Sequence, residues 1–175
     1  ENARRPVPGM AVLLERIVRD YPGCPVVYLS TGAWNVQPTL TRFLKRHLYP
    51  MGPLLLTDWG PTTDRFFRSG RMHKKESLER LANDFPHIRW ILIGDDGQHD
   101  EDLYASFAQH HPDQVRAVAI RELLAPEALL AGGRSHRNRT IDPDRTPWVS
   151  ASNGAGLAAE LARLGVLQWP RHSPE

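Results

Sequence analysis

From Pro8 to about Glu122 the chain alternates helical patterns with short apolar, β-branched runs, and this alternation is what most restricts its fold. Met10, Leu13, Leu14, Ile17 and Val18 share one helical face, and the Tyr21-Pro22-Gly23 turn stops that helix. Pro25-Val26-Val27-Tyr28-Leu29 then reads as a buried strand. Pro38 opens a second helix with Leu40, Phe43, Leu44 and Leu48 on one face, and Leu54-Leu55-Leu56 is a second strand. Residues 57–73 look irregular, with Gly60-Pro61 and Ser69-Gly70 as turns. A third helix turns Leu78, Leu81, Ala82 and Phe85 inward and ends at Pro86. Arg89-Trp90-Ile91-Leu92-Ile93 is the clearest strand. Leu103, Tyr104, Phe107 and Ala108 mark a fourth helix, and Val115 to Ile120 a fourth strand. Strands and helices linked by short connections predict an α/β fold, a parallel sheet covered on both faces.

Beyond this the pattern fades. Residues 125–152 carry Gly132-Gly133, Arg134, Arg137, Arg139, Arg145 and three prolines, and are expected to form a flexible linker. A C-terminal helix over 153–168, with Leu157, Ala158, Leu161 and Leu164 on one side, docks back on the domain. At 175 residues, 41% hydrophobic and 24% charged, the chain has room for one domain with a real core. A formal net charge of +2 with scattered Arg argues against a nucleic-acid binder. The single Cys24 excludes an internal disulfide and a cysteine zinc site. No run of about 18 apolar residues reads as a transmembrane segment. The opening residues, without Met or an apolar signal core, read as the middle of a longer protein.

In open α/β sheets ligands bind beyond the carboxyl ends of strands. Three places qualify. An apolar strand delivers Asp95 onto the loop Gly94-Asp95-Asp96-Gly97-Gln98-His99-Asp100, and hard oxygen ligands on such a loop suit Mg²⁺. The bland alternative is an acidic turn in which Asp100 caps the next helix. Ser30, with Thr31 and Gly32, stands at the tip of the Val26–Leu29 run, where a hydroxyl and backbone amides can hold a phosphate; an ordinary serine turn is the alternative. Lys74 and Lys75 fall at the expected start of the third helix, where the dipole disfavours cations unless an anion is near; taken singly, two solvated surface lysines are the simpler explanation. Trp34, Trp59, Phe66 and Phe67 lie on loops after the first two strands and form either an apolar rim for a lipid tail or loop packing. No Gly-x-Ser-x-Gly, Walker or Gly-x-Gly-x-x-Gly pattern is present.

The order of strand-Ser, Lys, then strand-Gly-Asp-x-x-x-x-Asp resembles motifs two to four of the haloacid dehalogenase superfamily. Tyr28-Leu29-Ser30-Thr31-Gly32-Ala33-Trp34, Gly52 to Gly60, His73-Lys74, and Ile93 to Asp100 resemble the catalytic domain of the actin-patch-protein-type phosphatidate phosphatases. The similarity covers residues 6–124, which are taken as the catalytic domain. It implies a three-layer Rossmann-like fold, Mg²⁺ held by Asp95, Asp100 and Asp96, and catalytic roles for Ser30 and Lys74. Thr31, Gly32, Trp34 and Lys75 are then substrate-binding. The implied partner is a phosphorylated substrate, specifically phosphatidate at a membrane surface, and the implied location cytoplasmic or peripheral to a membrane.

The family's Asp-x-Asp-x-Thr nucleophile motif is absent. Asp142-Pro143-Asp144 has the spacing but follows every expected strand and carries a proline. The expectation is a domain whose central nucleophile strand is missing from this sequence and which is inactive alone. A non-catalytic module that binds an anion or a partner is the alternative.

Overall fold

The computed structural model describes residues 5–57, 63–97, 99–130 and 146–169, with the backbone alone over 63–69. Among the described residues six helices and five strands follow one another: α1 Met10–Asp20, β1 Tyr28–Ala33, α2 Gln37–Arg46, β2 Leu54–Thr57, α3 Thr63–Asp84, β3 Trp90–Asp95, α4 Asp100–His110, β4 Val115–Arg121, α5 Ala125–Leu130, β5 Trp148–Ala151 and α6 Gly154–Arg163. Single 3-10 turns at Trp34–Val36 and Pro112–Gln114 lead into α2 and β4.

Every strand pairing described is parallel. β1 pairs with β2, Tyr28 opposite Leu54 and Leu29 opposite Leu55. A separate sheet has the order β3-β4-β5, with Ile91 to Asp95 facing Ala117 to Arg121, and Val118 to Arg121 facing Trp148 to Ala151. The expected single sheet is therefore two sheets among the described residues: β1 is hydrogen-bonded to β2 alone, and β3 to β4 alone.

The larger sheet shows why the apolar runs are strands buried on both faces. Ile91, Ile93, Ala117, Ala119 and Val149 face α1 and α6, where Leu13, Leu157 and Leu161 are fully buried. The alternate residues Leu92, Val118 and Ile120 face Leu78 and Ala82 of α3 and Leu103, Tyr104 and Phe107 of α4. A period of two on the strands thus yields two cores and three layers. On the α1 side, Gly9 (φ 75°) crosses Gly154 so closely that a Cβ on Gly154 would lie 2.1 Å from the Gly9 carbonyl oxygen. The Gly154 amide donates to the Pro8 carbonyl at 2.9 Å.

Several expectations need correction. The span 125–152 is not a plain linker: it holds α5 and β5, and Val149 of β5 is 3% exposed. Trp-Val-Ser-Ala is too short to read as a strand, yet it is extended here because β4 supplies a parallel edge. The domain therefore continues past 124 through α6. Residues 63–73 are helical rather than irregular, so α3 begins well before Arg71. The first strand starts at Tyr28, later than expected, and runs through Gly32. Phe85 is half exposed rather than inward. Residues 134, 137, 139, 142, 144 and 145, Trp59, and the side chains of Phe66 and Phe67 lie outside the described residues.

Candidate functional site

Ser30 is the third residue of β1, not its tip. Its Oγ accepts the Gly32 amide at 3.0 Å, a serine turn made inside the strand. The Thr57 hydroxyl of β2 reaches the carbonyl oxygens of Thr31 and Gly32 at 3.2 and 3.4 Å, so the carboxyl ends of β1 and β2 are tied together. Trp34 follows directly in the 3-10 turn and is 44% exposed.

Asp95 is the last residue of β3. Its Oδ1 accepts the Gly97 amide at 2.9 Å, which closes the turn beyond the strand. Asp100, the first residue of α4, does not cap that helix; His99 occupies the cap position without a side-chain bond. Instead one Asp100 oxygen meets Lys74 Nζ at 2.6 Å and the other faces the Asp95 amide at 3.4 Å. Gly94 makes this possible, because a Cβ there would sit 2.8 Å from Asp100 Oδ2 and 2.7 Å from the Tyr104 ring. Burial raises the Asp95 pKa, and the Asp100 charge raises it further, against the opposing pull of the Gly97 amide, Lys74 and Arg121.

α3 joins the two strand ends. Gly70 packs on Thr31, where a Cβ would lie 2.7 Å from the Thr31 methyl, and one turn later Lys74 reaches Asp100. His73 Nε2 adds a contact to the Leu55 carbonyl of β2 at 3.3 Å. Lys74 therefore lies mid-helix, and the expectation of a lysine at a helix start is wrong. Its counter-charge is Asp100 rather than an anion at the helix dipole. Lys75 points to solvent.

Asp96 does not share this space as a third carboxylate. Its Oδ1 accepts the Leu123 amide at 2.7 Å. Among the described residues no group of three or more His, Cys, Asp or Glu side chains is placed to hold a metal ion. The expected three-carboxylate set reduces to Asp95 and Asp100, two hard oxygen donors; that suits Mg²⁺, which takes one or two carboxylates and keeps its waters. Sequence reasoning missed Arg121, which stands beside Asp95 in the β3–β4 register, is 9% exposed and is bound to Glu127. Nothing in a single sequence reveals that register.

The sequence profile of the phosphatidate phosphatase APP1 catalytic domain matches residues 1–122. The chain belongs to this family. Over 107 residues it is 32% identical to phosphatidate phosphatase APP1 of Saccharomyces cerevisiae, a match covering 61% of this chain and 18% of that protein. Over 101 residues it is 24% identical to an uncharacterized protein of Schizosaccharomyces pombe, covering 57% of this chain and 17% of that one. The chain thus spans under a fifth of the length of these relatives. No solved structure matches it. The APP1 catalytic-domain match stops at Glu122, so it takes in Ser30, Lys74, Asp95 and Asp100 and leaves out β5 and α6. Among the described residues no helix is long and apolar enough to cross a membrane.

Proposed function

We propose that this chain supplies the phosphate- and metal-binding part of a phosphatidate phosphatase-type domain of haloacid dehalogenase architecture. The observation that carries the reading is the single turn of α3 that packs Gly70 on Thr31 and hands Lys74 to Asp100. It gathers a hydroxyl-bearing strand, a lysine and two carboxylates from elements far apart in sequence. Phosphoryl transfer rests mainly on such positioning and charge stabilisation. The Ser30 hydroxyl and the Thr31 amide bind the phosphoryl oxygens, with the Gly32 amide engaged by Ser30 Oγ, and Lys74 neutralises their charge. Asp95 and Asp100 would hold Mg²⁺, which supplies Lewis-acid screening of the phosphate. Lys74 keeps Asp100 oriented before any cation arrives. Trp34, exposed beside this end of β1, would contact the lipid portion of a substrate in this reading.

The attacking carboxylate in this reading belongs to a further strand that lies between β1 and β3. Both strands have an unpaired edge in the described structure. Between them opens a mostly apolar cleft of about 510 Å³, walled by Tyr28, Leu29 and Ser30 on one side and Ile91, Leu92 and Ile93 on the other. Trp90 is on the same wall, and its indole N–H is buried without a partner among the described residues. Unmet buried polar groups cost about 1–3 kcal/mol each, so a strand there satisfies a standing need of the fold. On this reading the 175-residue chain alone is inactive.

The test is turnover of phosphatidate in mixed detergent micelles, with Mg²⁺, by the full-length protein and by this chain. Full-length activity that falls by about 10²–10³ in Lys74→Met and Asp95→Asn supports the proposal. Clear turnover by this chain alone, abolished by Asp95→Asn, refutes the missing-strand part. A full-length protein that binds phosphatidate without turnover points to a binding module instead.

A further inference from the structure

Asp96 sits where the chain leaves β3, and two of its hydrogen bonds run toward β4 and the connection that follows it. Its amide donates to the Arg121 carbonyl at 3.0 Å, which carries the parallel ladder one residue past Asp95. Its Oδ1 accepts the Leu123 amide at 2.7 Å in a setting where Asp96 is only 9% exposed. The next amide, Leu124, is taken by Glu127 at 2.9 Å, and Glu127 in turn holds the Arg121 guanidinium at 2.6 and 2.8 Å. Two successive amides of the β4–α5 connection are thus captured by two carboxylates. Only the Asp96 one ties that connection to the loop bearing Asp95.

We infer that Asp96 is a positioning residue: it clamps the β3–α4 loop to the β4–α5 connection and so fixes the turn in which Asp95 accepts the Gly97 amide. A short bond to a buried neutral amide fixes the direction of the Asp96 carboxylate, and that direction is toward Leu123. Its neighbour Asp95 uses one oxygen within its own turn. The two adjacent carboxylates therefore divide the labour: one holds the loop, the other stands beside Asp100. The geometry of the clamp is independent of the proposed phosphatase reading; its consequence for metal affinity rests on that reading.

The experiment compares Asp96→Asn, Asp96→Ala and Asp95→Asn in the full-length protein. It uses hydrogen-exchange mass spectrometry of peptides spanning 94–100 and 121–126, and calorimetric titration with Mg²⁺. Asn retains an Oδ1 acceptor and no negative charge. The clamp predicts that Asp96→Ala speeds exchange in both peptides together, and weakens Mg²⁺ binding by about tenfold, the usual cost of losing a supporting residue. Asp96→Asn is expected to restore both to near the parent values. Asp95→Asn is expected to abolish Mg²⁺ binding while leaving exchange at 121–126 unchanged.

Loss of Mg²⁺ binding in Asp96→Asn as severe as in Asp95→Asn overturns the inference and makes Asp96 a ligand. Unchanged exchange in both peptides of Asp96→Ala overturns it as well. Failure of the parent protein to bind Mg²⁺ counts against the proposed function, and the exchange pattern then decides the role of Asp96 by itself. Should Asp96→Ala not fold, Asp96→Asn decides: parent-like exchange in both peptides upholds the clamp and faster exchange rejects it.

Discussion

Lys74 and Asp100, 26 residues apart, meet at 2.6 Å with side chains 21% and 15% exposed. The contact joins the middle of α3 to the first residue of α4, one helical turn after Gly70 packs on Thr31 of β1. Removing one partner leaves the other charge half-buried and unpaired. A double-mutant cycle of Lys74→Met and Asp100→Asn, read by urea unfolding, is expected to give a coupling of about 1–2 kcal/mol. A coupling near zero means that the pair is a solvated contact.

Asp95 carries a stability penalty. Burial and the Asp100 charge raise its native pKa, so the native state binds its proton more tightly than the unfolded chain does. The penalty is absent below the ordinary Asp value of about 3.9 and full above the raised native value. Asp95→Asn, which keeps an oxygen for the Gly97 amide, is therefore expected to raise the melting temperature at neutral pH. The gain is expected to vanish on acidification below about pH 4. A lower melting temperature at pH 7 contradicts this sign.

Gly70 is needed for contact rather than flexibility. Alanine in a helix interior normally stabilises by about 1 kcal/mol over glycine. Here the new Cβ would meet the Thr31 methyl at 2.7 Å, and overpacking of this kind costs about 1–3 kcal/mol. Gly70→Ala is expected to destabilise, and Thr31→Ser, which removes that methyl, to reverse most of the loss. Equal effects of Gly70→Ala in both backgrounds reject the contact.

Glu127 has a lowered pKa, chiefly from its hydrogen bonds with Arg121 and then from the Leu124 amide. Its contribution is present above the ordinary Glu range, about 4.3, and is lost as pH falls through the lower native value. The carboxylate is 41% exposed, so solvent screening holds the effect to within about 1 kcal/mol. Glu127→Gln and the parent are expected to differ in urea stability at pH 7 and to converge in acid. A difference that grows on acidification has the wrong sign.

Leu161 of α6 is fully buried against α1 and the sheet, although it lies beyond the family match. Leu161→Ala is expected to cost about 2–5 kcal/mol in chemical unfolding. A cost under 1 kcal/mol means that α6 is an appendage.

Much of this was legible where burial imposes a period. Leu103, Tyr104, Phe107 and Ala108 repeat at helical spacing because one side of α4 faces β3 and β4. Trp90 to Ile93 read as a strand because both faces of it are covered. Gly70 misled for a physical reason: its missing side chain marks a close approach to Thr31, and in sequence that is indistinguishable from a turn. β5 was invisible because four residues acquire their extended form from the edge of β4, not from their own pattern. At the site, the order of Ser30, Lys74 and Asp95 along the chain carries the resemblance, while the contact between Lys74 and Asp100 comes only from the packing of α3. The division between Asp95 and Asp96 was not legible, since it depends on Leu123, 27 residues away.

The crossing of Gly9 and Gly154 sets where this protein can be cut. Family resemblance ends at residue 122, but the turn at Pro8 and Gly9 leans its backbone on the start of α6. Shortening the protein to its recognisable portion would leave α1 without its neighbour and open the Leu13–Ile17 stripe to water. What has been inherited as a recognisable module and what folds as one piece are therefore different lengths of polypeptide.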